Sequence, residues 1–256
     1  MQSRDPLTLY NWPTSTCSQK VRLVLAEKGL EFIDHRLDSS KAENLSDWYL
    51  KLNENGVVPT LSHGDRIVID SSVITEYLDE VFPDVPLRPP DLYERARMRA
   101  WRQFIDEVPT SAIRVPSYNR YIRHKWKNLS QAEFDSLVDK RTVRKQFYQS
   151  MGRDGSSAQE EESSIEKLRE TVRRMERALT VGPWIMGQQF TLADVGLIPT
   201  IVRMVDIGLG DIWEAKSRVA EWYARVQERP SFTKALYPGS RYGSVGTHPA
   251  IEMTEC

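Results

Sequence analysis

The feature that most constrains the fold of this chain is a change of pattern at residues 83–90, where four prolines stand within PDVPLRPP. Proline lacks a backbone N–H and clashes with the preceding helical turn, so no helix can continue through this segment. The runs before it are typical of strands alternating with helices, whereas apolar residues after it recur only at helical spacing. The sequence therefore predicts an α/β domain over 1–82, a linker over 83–90, a helical domain over 91–237 and an irregular tail over 238–256.

The pattern before the linker is typical of a thioredoxin-like domain. A strand, a helix and a second strand are followed by a hairpin and a final helix, for which Ser71 is the predicted N-cap. In chain order, the predicted elements are strand 7–11, helix 17–28, strand 31–37, a short helix at 45–52, a hairpin over 58–69 and helix 71–81. An α/β unit of this kind followed by helices alone indicates two domains, the second of them all-α.

Beyond the linker, the spacing of apolar residues predicts only helices. The polar segment 152–164 has the composition of a solvated loop, and its glutamates suit the negative first turn of a following helix. The predicted helices cover 93–108, 130 to about 151, the stretch from these glutamates to Leu179, 190–208 with Pro199 inside it, and 215 to about 228.

The charge balance and the hydropathy narrow the classes of function. Thirty-five basic and 36 acidic residues leave a formal net charge of −1, which argues against a nucleic acid or an anionic membrane as the main partner. No stretch approaches the roughly 18 apolar residues of a membrane helix, and MQSRDPLTLY lacks the apolar core of a signal peptide. We therefore expect a cytoplasmic protein.

The cysteines and histidines do not have the spacing of a metal site. Only Cys17 and Cys256 are present, no CxxC motif occurs, and the four histidines are scattered along the chain. We therefore predict neither a disulfide framework nor a structural metal.

The segment TSTCSQK at residues 14–20 places hydroxyls and a thiol at the predicted start of the first helix. A helix N-terminus has free backbone N–H groups and a partial positive charge, which favour an anion by roughly 0.3–2 kcal/mol. A hydrogen bond donated by the Ser15 hydroxyl to a sulfur would lower the pKa of that thiol further. Alternatively, Ser15 is an ordinary N-cap and Cys17 a small apolar residue packed in the first turn. From these residues alone, both interpretations stay open.

Four segments together resemble the glutathione transferase superfamily, and the resemblance covers nearly the whole chain. TSTCSQKVRLVLAEKGLEF is similar to the active-site turn and first helix of the serine-type classes, especially the zeta class. NGVVPTL is similar to the segment with a cis proline, DSSVITEYL to the one that holds the γ-glutamyl end of glutathione, and FTLADVGL to the buried capping-box helix of the second domain. The resemblance implies the corresponding two-domain fold, glutathione as co-substrate and a homodimer.

The resemblance also implies which sulfur reacts. The catalytic hydroxyl of the serine classes stands at Ser15, so the activated thiol would belong to glutathione. Cys17 is offset by two residues from that position and would lie close to the substrate. A tyrosine-type enzyme would use a hydroxyl such as that of Tyr10, although a tyrosine at the end of a strand is more often packed in the core.

The segment around Pro59 is implied to bind the peptide-like body of glutathione. A cis bond before Pro59 exposes the backbone N–H and C=O of Val58 to an extended ligand. Val57 departs from the lysine or glutamine of many family members. Lys41 or Lys51 would then bind the glycyl carboxylate of glutathione.

Two helix starts carry acidic residues with different implied roles. Asp70 and Ser71 would bind the α-amino and carboxylate groups of the γ-glutamyl end, although DSS before a helix is also a common cap. Thr191 and Asp194 form a capping box, in which each side chain satisfies a backbone N–H group at the helix start. We expect this box to serve folding and not catalysis.

A closer resemblance is to the bacterial glutathione-dependent β-aryl etherases. It rests on LSDWYLKLNENGVVPTL, SSVITEYLDEVFPDVPLRPPDLYERARMRAW and LSQAEFDSLVDK, and it implies that the glutathione thiolate displaces a phenol from an aryl ether. The etherase turn carries asparagine and serine where this chain has Cys17 and Ser18, and glycine in place of Ser15. Ser18 is therefore the alternate catalytic hydroxyl. A zeta-like isomerase and a non-catalytic glutathione-fold binding protein are the alternative functions.

Aromatic residues supply the candidates for an electrophilic, aromatic acceptor substrate. An aromatic residue on a helix is more often part of the core, so each candidate has this alternative interpretation. They are Trp12 from the first domain and Tyr118, Tyr121, Trp126, Phe147, Tyr148 and Met151 from the second.

Overall fold

The computed structural model describes residues 5–214 and 217–243 and begins with a four-stranded sheet. Its strands are Leu7–Asn11 (β1), Ile33–Arg36 (β2), Thr60–His63 (β3) and Arg66–Ile69 (β4). They lie in the order β2-β1-β3-β4, with β2 parallel to β1 and the remaining pairs antiparallel. This mixed sheet confirms the predicted thioredoxin-like domain.

Three helices complete the first domain, and one predicted cap is wrong. They are Thr16–Glu27 (α1), Asp47–Leu52 (α2) and Ser71–Val81 (α3). Ser71 is already the first helical residue of α3. The cap is Asp70, whose carboxylate accepts hydrogen bonds from the backbone N–H groups of Ser72 (2.8 Å) and Val73 (3.2 Å).

The rest of the described chain is helical, as predicted. Its α-helices are Leu92–Glu107 (α4), Pro109–Ala112 (α5), Arg114–Ser117 (α6), Gln131–Asp139 (α7), Lys145–Met151 (α8), Ala158–Ala178 (α9), Leu192–Asp206 (α10), Arg218–Gln227 (α11) and Pro230–Ala235 (α12). Tighter and wider helical turns connect α6 to α7 over residues 118–126.

The prediction of one helix over 130–151 is wrong, because α7 ends at Asp139 and α8 begins at Lys145. Tertiary contacts override the periodicity at this break. The Thr142 hydroxyl donates to the Glu54 carbonyl of the first domain at 3.0 Å, and Arg141 is buried. The sequence also failed to predict α12, and the predicted start of the preceding helix at Ala215 lies outside the described residues.

Helix α1 is packed between the two domains. It contacts α3 on one side and α10 and α12 of the second domain on the other. Its residues from Ser18 to Leu25 are all buried, which exceeds the one-sided burial of an amphipathic helix. Its polar residues bond to the second domain: Lys20 donates to the Asp106 carboxylate at 2.8 Å, and Gln19 donates to the Ser240 carbonyl at 2.7 Å.

The capping box at the start of α10 is present as predicted. The fully buried Asp194 carboxylate accepts hydrogen bonds from the backbone N–H groups of Thr191 and Ile185, from the Thr191 hydroxyl and from the Trp222 indole. Burial raises the pKa of Asp194 to about 6, against the lowering effect of these bonds. The box therefore anchors α10 within the core.

The predicted tail from residue 238 has no helix or strand over its described part, 238–243, yet this part packs against the protein. Tyr242 stacks on Tyr121 with ring centroids 4.3 Å apart, and Arg241 pairs with Asp206 at 2.5 Å. Cys256 lies outside the described residues. Within 5–214 and 217–243, no helix has the length and apolarity to cross a membrane, and no cluster of three metal-ligating side chains occurs.

Candidate active site

A cavity of about 170 Å³ lies between the two domains, and its two sides differ in chemistry. The side from the first domain, here called the turn wall, is formed by Trp12, Ser15, Cys17, Val57 and Val58. The side from the second domain, here called the cationic wall, is formed by Arg114, Lys125, Trp126, Arg141, Arg144, Tyr148 and Arg203.

The turn before α1 is held by two buried arginines. The Arg22 guanidinium donates to the Asn11 side-chain oxygen (2.7 Å) and to the carbonyls of Trp12 (3.3 Å) and Pro13 (2.6 Å). From α10, the Arg203 guanidinium donates to the Thr14 carbonyl. The backbone of this turn is therefore fixed from both domains, which orients the first residues of α1 toward the cavity.

Ser15 is the N-cap that the sequence offered as one alternative, and it lies at the cavity. It is the N-cap of α1, because its side-chain oxygen accepts from the Ser18 backbone N–H at 3.2 Å, and it also lines the cavity. Among the described residues, its hydroxyl accepts this one bond and donates none. The hydroxyl proton is therefore available for an anion bound in the cavity.

Cys17 lines the cavity beside Ser15 and is half-buried. Burial raises the pKa of its thiol, but the positive charges of Lys20, Arg144 and Arg114 and a hydrogen bond with the Ser71 side chain outweigh burial, so the net pKa is lowered. Cys17 thus lies at the cavity in a cationic environment, not in a purely apolar one.

Ser18, the alternate hydroxyl, lies away from the cavity. Its side chain is fully buried, and its hydroxyl oxygen has no hydrogen-bond partner among the described residues. It does not belong to the cavity lining, so the geometry favours Ser15 as the hydroxyl that meets a ligand.

The residues predicted to bind glutathione are only partly brought together. The peptide bond between Val58 and Pro59 is cis, and Val58 lines the cavity. Ser71 is buried and bonds to Cys17, whereas the exposed Asp70 caps α3. Neither residue lines the cavity.

Lys41 does not reach the cavity. Its side chain is 82% exposed and pairs with Asp38 at 3.4 Å, and the alternative Lys51 is exposed on α2. The lysine that lines the cavity instead is Lys125, which the sequence analysis did not predict as a site residue. Its ammonium group reaches across from the second domain and donates to the Ser39 hydroxyl at 3.0 Å.

Of the aromatic candidates, Trp12, Trp126 and Tyr148 line the cavity. The other second-domain candidates lie outside its lining and serve packing. Tyr118 is fully buried and donates to the Gly152 carbonyl, and Tyr121 donates to the Asp206 carbonyl while stacking on Tyr242.

The remaining aromatic contacts belong to a small cluster of their own. Phe147 packs edge-on against Tyr118 and Tyr148, and Met151 is buried in the same cluster. Tyr10 contacts His35 and Trp48 on the sheet and does not line the cavity.

Sequence reasoning did not identify the cations of the cationic wall as cavity residues. Five basic side chains line the cavity together with no aspartate or glutamate. Within the described ranges, none of the five makes an ion pair with a carboxylate; they are Arg114, Lys125, Arg141, Arg144 and Arg203. They are spread over ninety positions of a chain with balanced charge. No local sequence motif therefore predicts that they lie together.

Comparison with known proteins gives consistent family matches. The glutathione S-transferase N-terminal domain family matches residues 14–81, and the glutathione S-transferase C-terminal domain family matches residues 154–225. Protein LigF of Sphingobium sp. strain SYK-6 is 33% identical over 92% of this chain and 95% of its own length. Glutathione S-transferase 1 of Dianthus caryophyllus is 46% identical over 35% of this chain and 41% of its own length.

Solved structures agree with these matches. The crystal structure of the beta-etherase LigF has a TM-score of 0.82 at 30% identity and covers 90% of this chain and 98% of its own. The crystal structure of glutathione transferase F7 from Populus trichocarpa has a TM-score of 0.72 at 22% identity and covers 90% of this chain and 97% of its own. At this identity it supports the fold alone.

Proposed function

Since this chain belongs to the glutathione S-transferase family, we propose that it is a β-etherase-like enzyme that activates glutathione for attack on an electrophilic aromatic or β-aryl ether substrate. Glutathione is its co-substrate. The full-length similarity to LigF supports the ether as acceptor. The observation that carries the mechanism is the position of Ser15, at the start of α1 with its hydroxyl in the cavity.

The turn wall supplies the activation of the thiol. The glutathione sulfur binds at the N-terminus of α1, where free N–H groups and the helix dipole favour the thiolate. The Ser15 hydroxyl donates a hydrogen bond to it, and a bond to a charged group contributes about 1.5–3 kcal/mol. Val58 pairs through its backbone with the glutathione peptide. Holding the thiolate beside the acceptor supplies much of the remaining acceleration.

The proposed step is a substitution at carbon. The thiolate forms a carbon–sulfur bond as the carbon–oxygen bond to the aryl group breaks, and the departing phenolate takes up a proton from solvent. No oxidant or reductant is needed. One glutathione is consumed for each phenol released, because the tripeptide stays attached to the product.

Product analysis tests this function. The enzyme, glutathione and a β-aryl ether should release a phenol in equal amount to the glutathione lost. Turnover of maleylacetoacetate without loss of glutathione would show that the enzyme is an isomerase and not an etherase. Retention on immobilised glutathione with no turnover of any electrophile would identify a binding protein instead.

We further propose a homodimer formed through α3 and α4. The ion pair between Arg99 and Glu76 at 2.6 Å links these helices, and they leave Val73, Leu92 and Tyr93 exposed. Exposed apolar groups of this kind mark interaction surfaces. Light scattering should give twice the chain mass for the native protein and a reduced mass for Tyr93→Glu.

A cytoplasmic location remains a prediction. The proposed reaction consumes reduced glutathione, and that thiol pool is kept reduced in the cytosol. Fractionation of the source cells tests the location.

A further inference from the structure

We propose that the acceptor carries a carboxylate and that Arg141, with Arg114 and Arg144, binds it on the cationic wall. This inference rests on the proposed transferase function and names its acceptor class. It starts from the environment of Arg141, which is only 7% exposed and lines the cavity. Its Nε atom is buried without an acceptor, and its guanidinium has no hydrogen bond and no ion pair within the described chain.

Several other buried cations of the described chain pair with a carboxylate. Lys20 pairs with Asp106, Lys28 pairs with Asp79 at 2.7 Å, and Arg102 pairs with Glu76. Burying a cation without such a partner is costly, and removing one partner of a buried pair is strongly destabilising for that reason. Arg141 lacks the compensation that the fold provides elsewhere, so its missing partner is expected to come from a ligand.

The surroundings of Arg141 orient its donors. Its guanidinium carbon lies 3.9 Å from the centroid of the Tyr148 ring, which covers one face of the planar group. The N–H groups project from the edges of that plane, and this fork matches the two oxygens of a carboxylate. Arg141 and the aromatic Tyr148 line the same cavity.

Arg114 and Arg144 add positive charge that the protein does not neutralise. Burial and the nearby Arg144 guanidinium lower the pKa of Arg114 to about 10. Like charges at close range oppose each other, and an anion between them relieves this repulsion. Both residues also lie near Cys17 and thus near the proposed place of reaction.

The neutral groups of the cavity complete the description of the ligand. The indole N–H group of Trp12 is buried without an acceptor among the described residues, and the side chains of Trp12 and Trp126 both line the cavity. An unpaired donor on an aromatic ring suits a ligand with a flat apolar body and several oxygen atoms. The best match is an aromatic acid, such as an aryl ether whose side chain ends in a carboxylate.

Glutathione alone does not account for this surplus. It brings two carboxylates and one ammonium group, so even as a thiolate it neutralises fewer charges than the five cations of the lining provide. Lys125 donates a hydrogen bond to Ser39 of the first domain, so its ammonium group is placed to bind a glutathione carboxylate. Arg141, Arg114 and Arg144 are then left for the acceptor.

The test uses two β-aryl ethers that differ only in a carboxylate against its primary amide. For the unmodified enzyme we expect kcat/KM to favour the acid by about tenfold or more, as for a charged hydrogen bond. Arg141→Gln should bring the two values close together, and Arg141→Lys, which keeps the charge, should keep part of the preference. Lys140→Gln is the matched control, because this neighbouring cation is exposed and does not line the cavity.

Calorimetric titration with phenoxyacetate and phenoxyacetamide measures the same preference without turnover. If neither ether reacts but phenoxyacetate binds through Arg141, the etherase function fails and the carboxylate site stands. Equal binding of the acid and the amide by the unmodified protein would overturn the site. So would an Arg141→Gln variant that raises only the KM for glutathione, or that lowers the rates on both ethers equally.

Discussion

The two walls of the cavity are built in different ways. The turn wall comes from short contiguous segments, 12–17 and 57–58, whose shape is fixed by backbone geometry and by the hydrogen bonds of Arg22. The cationic wall is assembled from side chains on α6, the helical turns over 118–126, the connection between α7 and α8, α8 itself and α10. The first wall presents hydroxyls, the Cys17 thiol and the N-terminus of α1, and the second presents charge and aromatic rings. In the proposed function, thiol activation belongs to one domain and acceptor choice to the other.

The largest expected effect is a loss of stability around α10, a helix that contributes to the cationic wall. Asp194→Ala removes the carboxylate that anchors α10, the helix of Arg203, and leaves buried N–H donors without acceptors. We expect the free energy of unfolding to fall by about 3 kcal/mol or more, because each unsatisfied buried donor costs about 1–3 kcal/mol. Urea denaturation measures it.

The matched variant for this test is Glu160→Ala, which breaks the equivalent capping box at the start of α9. That box is exposed, so the loss should be about 1 kcal/mol or less. Equal losses in both variants would show that the buried box has no special role in holding α10.

The next effect separates the two hydroxyls of the turn. Ser15→Ala should lower kcat/KM by about 10- to 100-fold, the value of a hydrogen bond to a charged group. Ser18→Ala should keep activity within about twofold, because its hydroxyl makes no hydrogen bond in the described structure and does not line the cavity. A larger loss from Ser18→Ala than from Ser15→Ala would exchange the proposed roles.

A smaller effect tests whether the charges of the cationic wall lower the pKa of the Cys17 thiol on the turn wall. Lys20, Arg144 and Arg114 lower the pKa of Cys17, so removing two of these charges must raise it. In a Cys256→Ser background, the double variant Arg114→Gln, Arg144→Gln should move the pH midpoint of iodoacetamide alkylation to higher pH. The rate near neutral pH should fall, because less thiolate is present. An unchanged profile would mean that these cations do not influence the thiol.

The smallest effect concerns the side of glutathione nearest the second domain. Lys125→Gln should raise the KM for glutathione by about threefold, as expected for a solvent-exposed ionic contact. Lys41→Gln should leave it unchanged, because this side chain points to solvent and pairs with Asp38. Steady-state kinetics with a fixed acceptor measures both, and the reverse result would restore Lys41 to the site.

The sequence predicted the turn wall well and the cationic wall poorly, for a physical reason. Ser15, Cys17 and Val58 lie in local motifs, and a helix start or a cis proline imposes its geometry on neighbours in the chain. Arg141 lies in the break between α7 and α8, where Thr142 donates to the Glu54 carbonyl of the other domain. Periodicity carries no information about such contacts.

The same reasoning applies to the aromatic candidates. Tyr118, Phe147 and Tyr148 lie on one aromatic cluster, but only Tyr148 lines the cavity. Spacing places an aromatic residue on a helix face, whereas the packing of neighbouring helices decides whether that face meets the core or the cavity. The fold could therefore be predicted from sequence, and the acceptor side of the site could not.

The central claim is that the turn wall stabilises the glutathione thiolate through Ser15. The most direct measurement is the ultraviolet absorbance of bound glutathione thiolate as a function of pH, in the unmodified enzyme, in Ser15→Ala and in Arg141→Gln. The bound thiol should titrate below the ordinary value of about 8.5, and Ser15→Ala should raise its pKa by about one unit or more while Arg141→Gln leaves it nearly unchanged. The same titration curve in Ser15→Ala as in the unmodified enzyme would contradict the claim.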